Sequence, residues 1–255
     1  MKTSVIGFPR VGKLRELKFV TEKFFRGEAD AAELEKTGKE IRLEQWKWQK
    51  DSRIDFIPSG DFSFYDTILD AAVLFNIIPK RYKTLGLSEQ DTYFAMARGY
   101  QGAQGDVKAL AMKKWFNTNY HYLVPEIDSA PLQISDDTTI SLAGNKLVDE
   151  YLEAKENGFE TKPVIAGPFT LLKLIRFVGE KGTRNFAGQL CEAYCELVGK
   201  LEKAGAAWIQ FDEPYLVHDL TKEDQELFVE LYDKILSQKK GVKILLQTYF
   251  GDVRD

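Results

Sequence analysis

The chain has 255 residues, 44% hydrophobic and 29% charged, a composition that suits a soluble globular protein with a sizeable core and excludes disordered and fibrous classes. A net charge of −4, a pI near 5.5 and the lack of any long Lys/Arg run exclude the positive face that phosphate backbones demand, so no nucleic-acid partner is expected. No stretch approaches the roughly 20 apolar residues needed to cross a bilayer, and the short apolar run after Met1 ends at Phe8-Pro9-Arg10, so a cytoplasmic location with no membrane partner is expected.

Thr3 to Gly7 reads as a short strand broken at Gly7-Phe8-Pro9. Apolar residues at helical spacing predict a helix from Leu14 to Arg26 and a longer one from Ala31 to Lys50, the latter carrying Leu34, Ile41, Leu43, Trp46 and Trp48. Ile54 to Pro58 follows as a strand closed by proline, and the aromatic segment Tyr120 to Val124 is a further strand candidate. Gly99 to Gly105 and Asp128 to Gly144 read as surface loops or insertions.

The later half is more regular. Pro163 to Ala166, Ala207 to Phe211 and Val242 to Leu246 are short apolar runs of buried-strand type, separated by helical patterns over Asn185–Ala204 and Glu223–Gln238. Strand, helix, strand at a spacing of about forty residues predicts parallel βαβ units of a (β/α)8 TIM-like barrel. About six candidate parallel strands are present where a closed barrel needs eight, and no helix follows the last one. An uncovered parallel edge is costly, so the barrel is expected to be incomplete at the C-terminus and the natural chain to continue past Asp255.

Barrel chemistry sits where strands exit into loops, which draws attention to Phe211-Asp212-Glu213-Pro214. Those carboxylates form a substrate-binding rim, or else Asp212 caps the next segment or pairs with a nearby cation. Gly7-Phe8-Pro9-Arg10-Val11-Gly12-Lys13-Leu14 has the outline of a phosphate loop, but Leu14 stands at the Ser/Thr position and Pro9 removes a backbone donor, so no nucleotide triphosphate site is expected. Arg15-Glu16-Leu17-Lys18 places two cations at the start of a helix, where anions are favoured; a solvated charged turn is the plainer alternative. Lys113 to Tyr122 is rich in aromatics and amides, suited to stacking a flat ring or to forming a packed corner. Within it, His121 has no acidic or Cys neighbour in sequence and is expected to be a core histidine; His218 is likewise alone. The two cysteines, Cys191 and Cys195, lie one helical turn apart and are expected to be buried, inert thiols. No His-x-Cys pair, HExxH or CxxC occurs, so zinc catalysis has no support in this chain.

Several blocks, at consistent spacing and spanning the whole chain in order, resemble the N-terminal domain of cobalamin-independent methionine synthase. They are Gly7-Phe8-Pro9-Arg10-Val11-Gly12 with Arg15-Glu16-Leu17-Lys18, the run Ile57 to Asp66, Lys114-Trp115-Phe116-Asn117-Thr118-Asn119-Tyr120-His121-Tyr122, Lys162 to Pro168, Trp208 to Pro214 and Thr248-Tyr249-Phe250-Gly251. The resemblance implies a protein of two face-to-face barrels that transfers a methyl group from 5-methyltetrahydropteroyltri-L-glutamate to L-homocysteine. It also implies a zinc ion held by a His, two Cys and a Glu of the C-terminal catalytic barrel, which would keep the homocysteine sulfur deprotonated. Nothing in this sequence matches those ligands. Residues 1–255 would then be the N-terminal barrel, with no cofactor and no catalytic residue of its own and inactive alone. Its partners would be the folate and the C-terminal barrel of the same polypeptide.

The family's folate-tail positions fall on Arg15, Glu16, Leu17, Lys18 and Lys114. Ala111 stands before Met112 where the family usually carries an acidic residue, and the family's first barrel runs well past Asp255. Two other classes remain open: a scaffold module that holds the catalytic barrel without binding ligand, and an independent barrel hydrolase using Asp212 or Glu213.

Overall fold

The computed structural model describes residues 2–128 and 139–253. After an irregular start come α1 (Glu16–Phe25), α2 (Ala31–Asp51), β1 (Ile57–Ser59), α3 (Thr67–Leu74), α4 (Lys80–Lys83) and α5 (Glu89–Arg98). Five short strands follow: β2 (Tyr100–Gly102), β3 (Gly105–Val107), β4 (Met112–Lys114), β5 (His121–Leu123) and β6 (Glu126–Asp128). The regular half comprises α6 (Lys146–Glu156), β7 (Thr161–Ala166), α7 (Pro168–Leu174), β8 (Arg176–Val178), α8 (Thr183–Ala204), β9 (Trp208–Asp212), a 3₁₀ turn (Pro214–Val217), α9 (Lys222–Gln238) and β10 (Lys243–Gln247).

The sheet at the centre is parallel and ordered β1-β7-β9-β10, with Ser59 opposite Pro163, Ala166 opposite Asp212, and Asp212 opposite Gln247. A single parallel bridge, Ser4 to Phe56, attaches the N-terminal segment beside β1. This is the βαβ architecture expected of a TIM-like barrel. The periodic helices bury most of the stripes their spacing predicts: although Leu43 of α2 and Leu236 of α9 are exposed, Leu190, Tyr194, Leu197 and Leu201 of α8, and Leu227, Leu231 and Ile235 of α9, are at most 2% exposed. Together with Phe211 and Ile209 they form one core on the outer face of the sheet.

Four expectations need correction. Pro58 does not close the strand read from Ile54, because β1 runs through it from Ile57 to Ser59. Tyr120 to Val124 does not supply a parallel barrel strand; β5 pairs antiparallel with β4, as a hairpin whose turn needs only a few residues. Gly99 to Gly105 is not a bare loop, because β2 and β3 form a second hairpin around it. Thr3 to Gly7 is tethered by side chains more than by a ladder: Lys162 Nζ donates to the Val5 carbonyl at 2.9 Å, and Gln210 Nε2 to the Ile6 carbonyl at 3.1 Å. Most of Asp128 to Gly144 lies outside the described residues.

A buried charge cluster ties the helices near β1 together. Arg42 of α2, 5% exposed, pairs with Glu153 at 2.7 Å and Glu150 at 3.8 Å of α6; Glu150 in turn holds Lys146 at 2.9 Å. Glu150 also accepts from the Gly60 backbone N–H at 3.1 Å, which fixes the exit of β1. Gly60 itself has φ 79° and leaves no room for a Cβ, since one would lie 2.0 Å from Leu147 Cδ1.

Candidate active-site cavity

Because its strands run parallel, the sheet brings all their carboxyl ends to one rim, and a cavity of about 620 Å³ opens there. Each exit contributes: Ile6 to Phe8 from the N-terminal segment, Gly60-Asp61 after β1, Ala166 at the end of β7, Asp212 at the end of β9, and Tyr249-Phe250 after β10. α3 adds Asp70, α6 adds Lys146, and the β4–β5 hairpin adds Trp115, Tyr120 and His121.

The floor is polar because alternate residues of β7 and β9 point inward. Lys162, 1% exposed, donates to Gln210 Oε1 as well as to Val5, and Gln210 Nε2 donates to Asp212 Oδ1 at 2.7 Å. Tyr249 completes the chain by donating to Asp212 Oδ2 at 3.4 Å. Burial pushes the Asp212 carboxyl up to about 7, against the opposing pull of Gln210, Lys162 and Tyr249. Asp61 is pushed up to about 6, also by burial, although it accepts the Phe8 N–H at 2.7 Å. Burial draws Lys162 down to about 8, partly countered by Asp212 and Asp61.

The wall on the other side is aromatic. Trp115 stacks on Phe250 at 5.6 Å, and Tyr120 lies 6.1 Å from the same ring. Phe250, on the lining, has φ 78°, and Phe116, off the lining with its ring 5.5 Å from that of Phe250, has φ 49°; both are left-handed non-glycine residues. Strain of that kind persists only where surrounding structure holds it, and it gathers at functional sites.

Asp212 and Glu213, adjacent in sequence, serve different ends. Asp212 faces the cavity, whereas Glu213 is fully buried beneath α7, accepting from the backbone N–H groups of Phe169 at 3.1 Å and Thr170 at 2.6 Å and from the Tyr232 hydroxyl at 2.7 Å. Glu213 is therefore the cap of α7, and a hydrolase that uses it as a rim acid or base does not fit. His121 is exposed and lines the cavity, which corrects the expectation of a core histidine: β5 is a hairpin strand at the rim and its first residue points outward. His218 is also exposed and stacks on Phe116 at 4.4 Å.

The five residues matched to the folate tail lie off the cavity lining. Arg15 is exposed and sits in the left-handed region (φ 65°) as the residue before α1. Glu16 turns back to accept the Leu14 N–H at 2.9 Å, and Leu17 is 4% exposed, packed in the core under α1. Lys18 is exposed with Glu22 at 3.8 Å, and Lys114 is exposed at the end of β4, next to Trp115 of the aromatic wall. The residues to which sequence reasoning gave no role in the site are Asp61, Asp70, Lys146 and Lys162. Lys162 left a signal, a lone charge entering an apolar strand; Asp70 and Lys146 look like ordinary polar positions of helices until the fold points them at one cavity.

Cys191 and Cys195 are free; Cys191 is buried on α8 with its Sγ 3.6 Å from the Leu231 carbonyl, and burial pushes its thiol up to about 12. Among the described residues no group of three or more His, Cys, Asp or Glu is arranged to hold a metal.

Residues 2–255 match the family described as cobalamin-independent synthase, N-terminal domain. Among relatives, a 5-methyltetrahydropteroyltriglutamate–homocysteine methyltransferase of Campylobacter jejuni is 55% identical and one of Streptococcus suis 54% identical, each over the whole of this chain and 33% of its own length. The chain thus spans about a third of the length of the curated relatives it matches. Two solved structures share the fold at 15% identity: a putative vitamin-B12-independent methionine synthase from Listeria monocytogenes (TM-score 0.61, 96% of this chain and 65% of that one) and a B12-independent methionine synthase from Shewanella sp. W3-18-1 (TM-score 0.60, 88% and 55%). With the parallel sheet, the rim cavity and a match that runs from one end to the other, the chain belongs to the N-terminal domain family of the cobalamin-independent synthases.

Proposed function

We propose that this chain is the N-terminal barrel of an enzyme that transfers a methyl group from 5-methyltetrahydropteroyltri-L-glutamate to L-homocysteine, and that it supports the folate's glutamate tail. The observation that carries this reading is the match over the full chain to relatives named for that reaction. In this reading the zinc and the thiol chemistry belong to the C-terminal barrel of the same polypeptide, the cytoplasm is the site of action, and the chain alone turns over no homocysteine.

Charge placement supports the tail site. Among the described residues Arg15 and Lys114 have no carboxylate within ion-pair distance, and the exposed Lys18–Glu22 pair is worth no more than about 0.5 kcal/mol, so all three cations are available to an anion. A triglutamate tail offers several carboxylates in series, which suits cations spread over a surface rather than gathered in a pocket. Leu17 contributes by anchoring the first turn of α1 in the core, and Glu16 by holding the Leu14 N–H and hence the turn that presents Arg15.

Lys114→Ala in the whole enzyme is expected to raise KM for the triglutamate substrate about tenfold, the loss of one charge-assisted contact of roughly 1.5 kcal/mol, and to leave the monoglutamate nearly unchanged. Steady-state kinetics with both folates checks it; equal losses remove Lys114 from the tail site.

A scaffold reading, in which the rim only holds the catalytic barrel, draws support from Ile6, Tyr120 and Phe250, which are 48%, 70% and 37% exposed around the cavity mouth. Titrating pteroyltriglutamate into the chain separates the two, since a pure scaffold binds none.

A further inference from the structure

We propose that the rim cavity is a ligand site in its own right, taking a small molecule that joins a primary ammonium group to a flat aromatic body. Three carboxylates line it, Asp61, Asp70 and Asp212, against one cation, Lys146. Lys146 is already engaged: it donates to the Phe62 carbonyl at 2.7 Å and pairs with Glu150 at 2.9 Å, reaching Asp70 only at 3.5 Å. Lys162, beneath the floor, gives its hydrogen bonds to Val5 and Gln210. Among the described residues Asp61 and Asp212 therefore have hydrogen-bond donors but no ion-pair partner, and the buried Asp70 Oδ2 accepts no hydrogen bond at all.

Part-buried carboxylates with no counter-ion of their own, as at Asp61 and Asp212, are costly, and a bound cation is what offsets them. An anionic ligand would meet three carboxyl groups and one cation that is already engaged. A bare metal ion is a poorer match, because no arranged ligand cluster is present among the described residues. The opposite wall consists of Trp115, Tyr120, Tyr249 and Phe250, whose ring faces attract ammonium groups and whose flat surfaces stack an aromatic body. A cavity of about 620 Å³ lies within the range of small-molecule sites. These residues are distinct from Arg15, Glu16, Leu17, Lys18 and Lys114, so this site and the folate-tail site stand or fall separately.

The test is calorimetric titration of the chain with tryptamine and with indole-3-propionate, which share a ring and differ in the sign of charge. Tryptamine is expected to bind one per chain at sub-millimolar concentration and the anion at least tenfold more weakly. Asp212→Asn, which keeps the shape and removes the charge, is expected to weaken tryptamine at least tenfold. Tyr120→Ala, at a position 70% exposed and tolerant of truncation, is expected to weaken it severalfold. No tryptamine binding at millimolar concentration, or equal affinity for the two probes, overturns the proposal. So does unchanged affinity in Asp212→Asn; should circular dichroism show that variant unfolded, unchanged affinity in Tyr120→Ala overturns it instead.

Discussion

Gly167→Ala is expected to cost about 3 kcal/mol of stability, read as a fall in melting temperature of roughly 2–4 °C per kcal/mol. The backbone is not the obstacle, since φ at Gly167 is −70°. The obstacle is Glu213: an added Cβ would sit 2.2 Å from Oε1, 2.3 Å from Cδ and 2.6 Å from Cγ. That carboxyl cannot swing aside without abandoning the Phe169 and Thr170 N–H groups and the Tyr232 hydroxyl, all of them buried. Gly188→Ala on α8 is the control, because a Cβ there meets nothing within 4 Å; it is expected to stabilise by about 0.5–1 kcal/mol, the helix-propensity gain. The pair Gly167→Ala and Glu213→Ala should be strongly non-additive, the double variant losing less than the two single losses together. Additive losses, or a Gly167→Ala protein that melts with the wild type, would show that Glu213 does not cap α7 in this way.

The second large effect is on pH. Asp212 and Glu213, each pushed up to about 7 by burial, and Asp61 and Asp66, each pushed up to about 6, hold protons in the folded chain that the unfolded chain has released. For a carboxyl whose folded value is raised, stability grows as pH falls from the folded value towards the unfolded one near 4. Melting at pH 5.5 should therefore exceed that at pH 8 by a few kcal/mol of stability, on the order of 1.4 kcal/mol per unit of pH per group. His218, drawn down by burial, opposes this modestly below pH 6.5. Lys162, drawn down to about 8, acts only on the alkaline side, where stability rises between pH 8 and 10.5 as the unfolded chain stays charged and the folded one does not. Scanning calorimetry across pH 5 to 9 checks the trend, and Asp212→Asn should flatten part of it. A melting temperature that is level, or higher at pH 8 than at pH 5.5, would mean that the floor carboxyls are ionised in the folded state at neutral pH.

How much of this was legible in advance differs from element to element. Helices α2, α8 and α9 were readable to within a few residues, because a long 3.6-residue stripe admits one explanation, and their predicted stripes are largely the buried ones. Trp48 was not separable from Trp46 by pattern; it is 38% exposed, lying beside Phe8 at 6.1 Å with Lys13 over its ring, while Trp46 is 2% exposed and donates to the Pro58 carbonyl. The Tyr120 to Val124 run fitted a buried strand equally well whichever way it paired, since short apolar runs do not encode direction.

The sequence by itself determined the parallel α/β class, through strand runs alternating with helices, and the family, through blocks held at consistent spacing along the whole chain. It also pointed to Arg15, Lys18 and Lys114, through the family resemblance of the blocks that carry them and not through composition. Only the tertiary structure decided that Asp61, Asp70, Lys146 and Asp212 share one cavity and that Glu213 does not. Neighbours such as Asp212 and Glu213 have the same chemistry in sequence; the strand's two-residue alternation turns one into the barrel and the other under α7, and which face is which depends on the strands and helices packed around them.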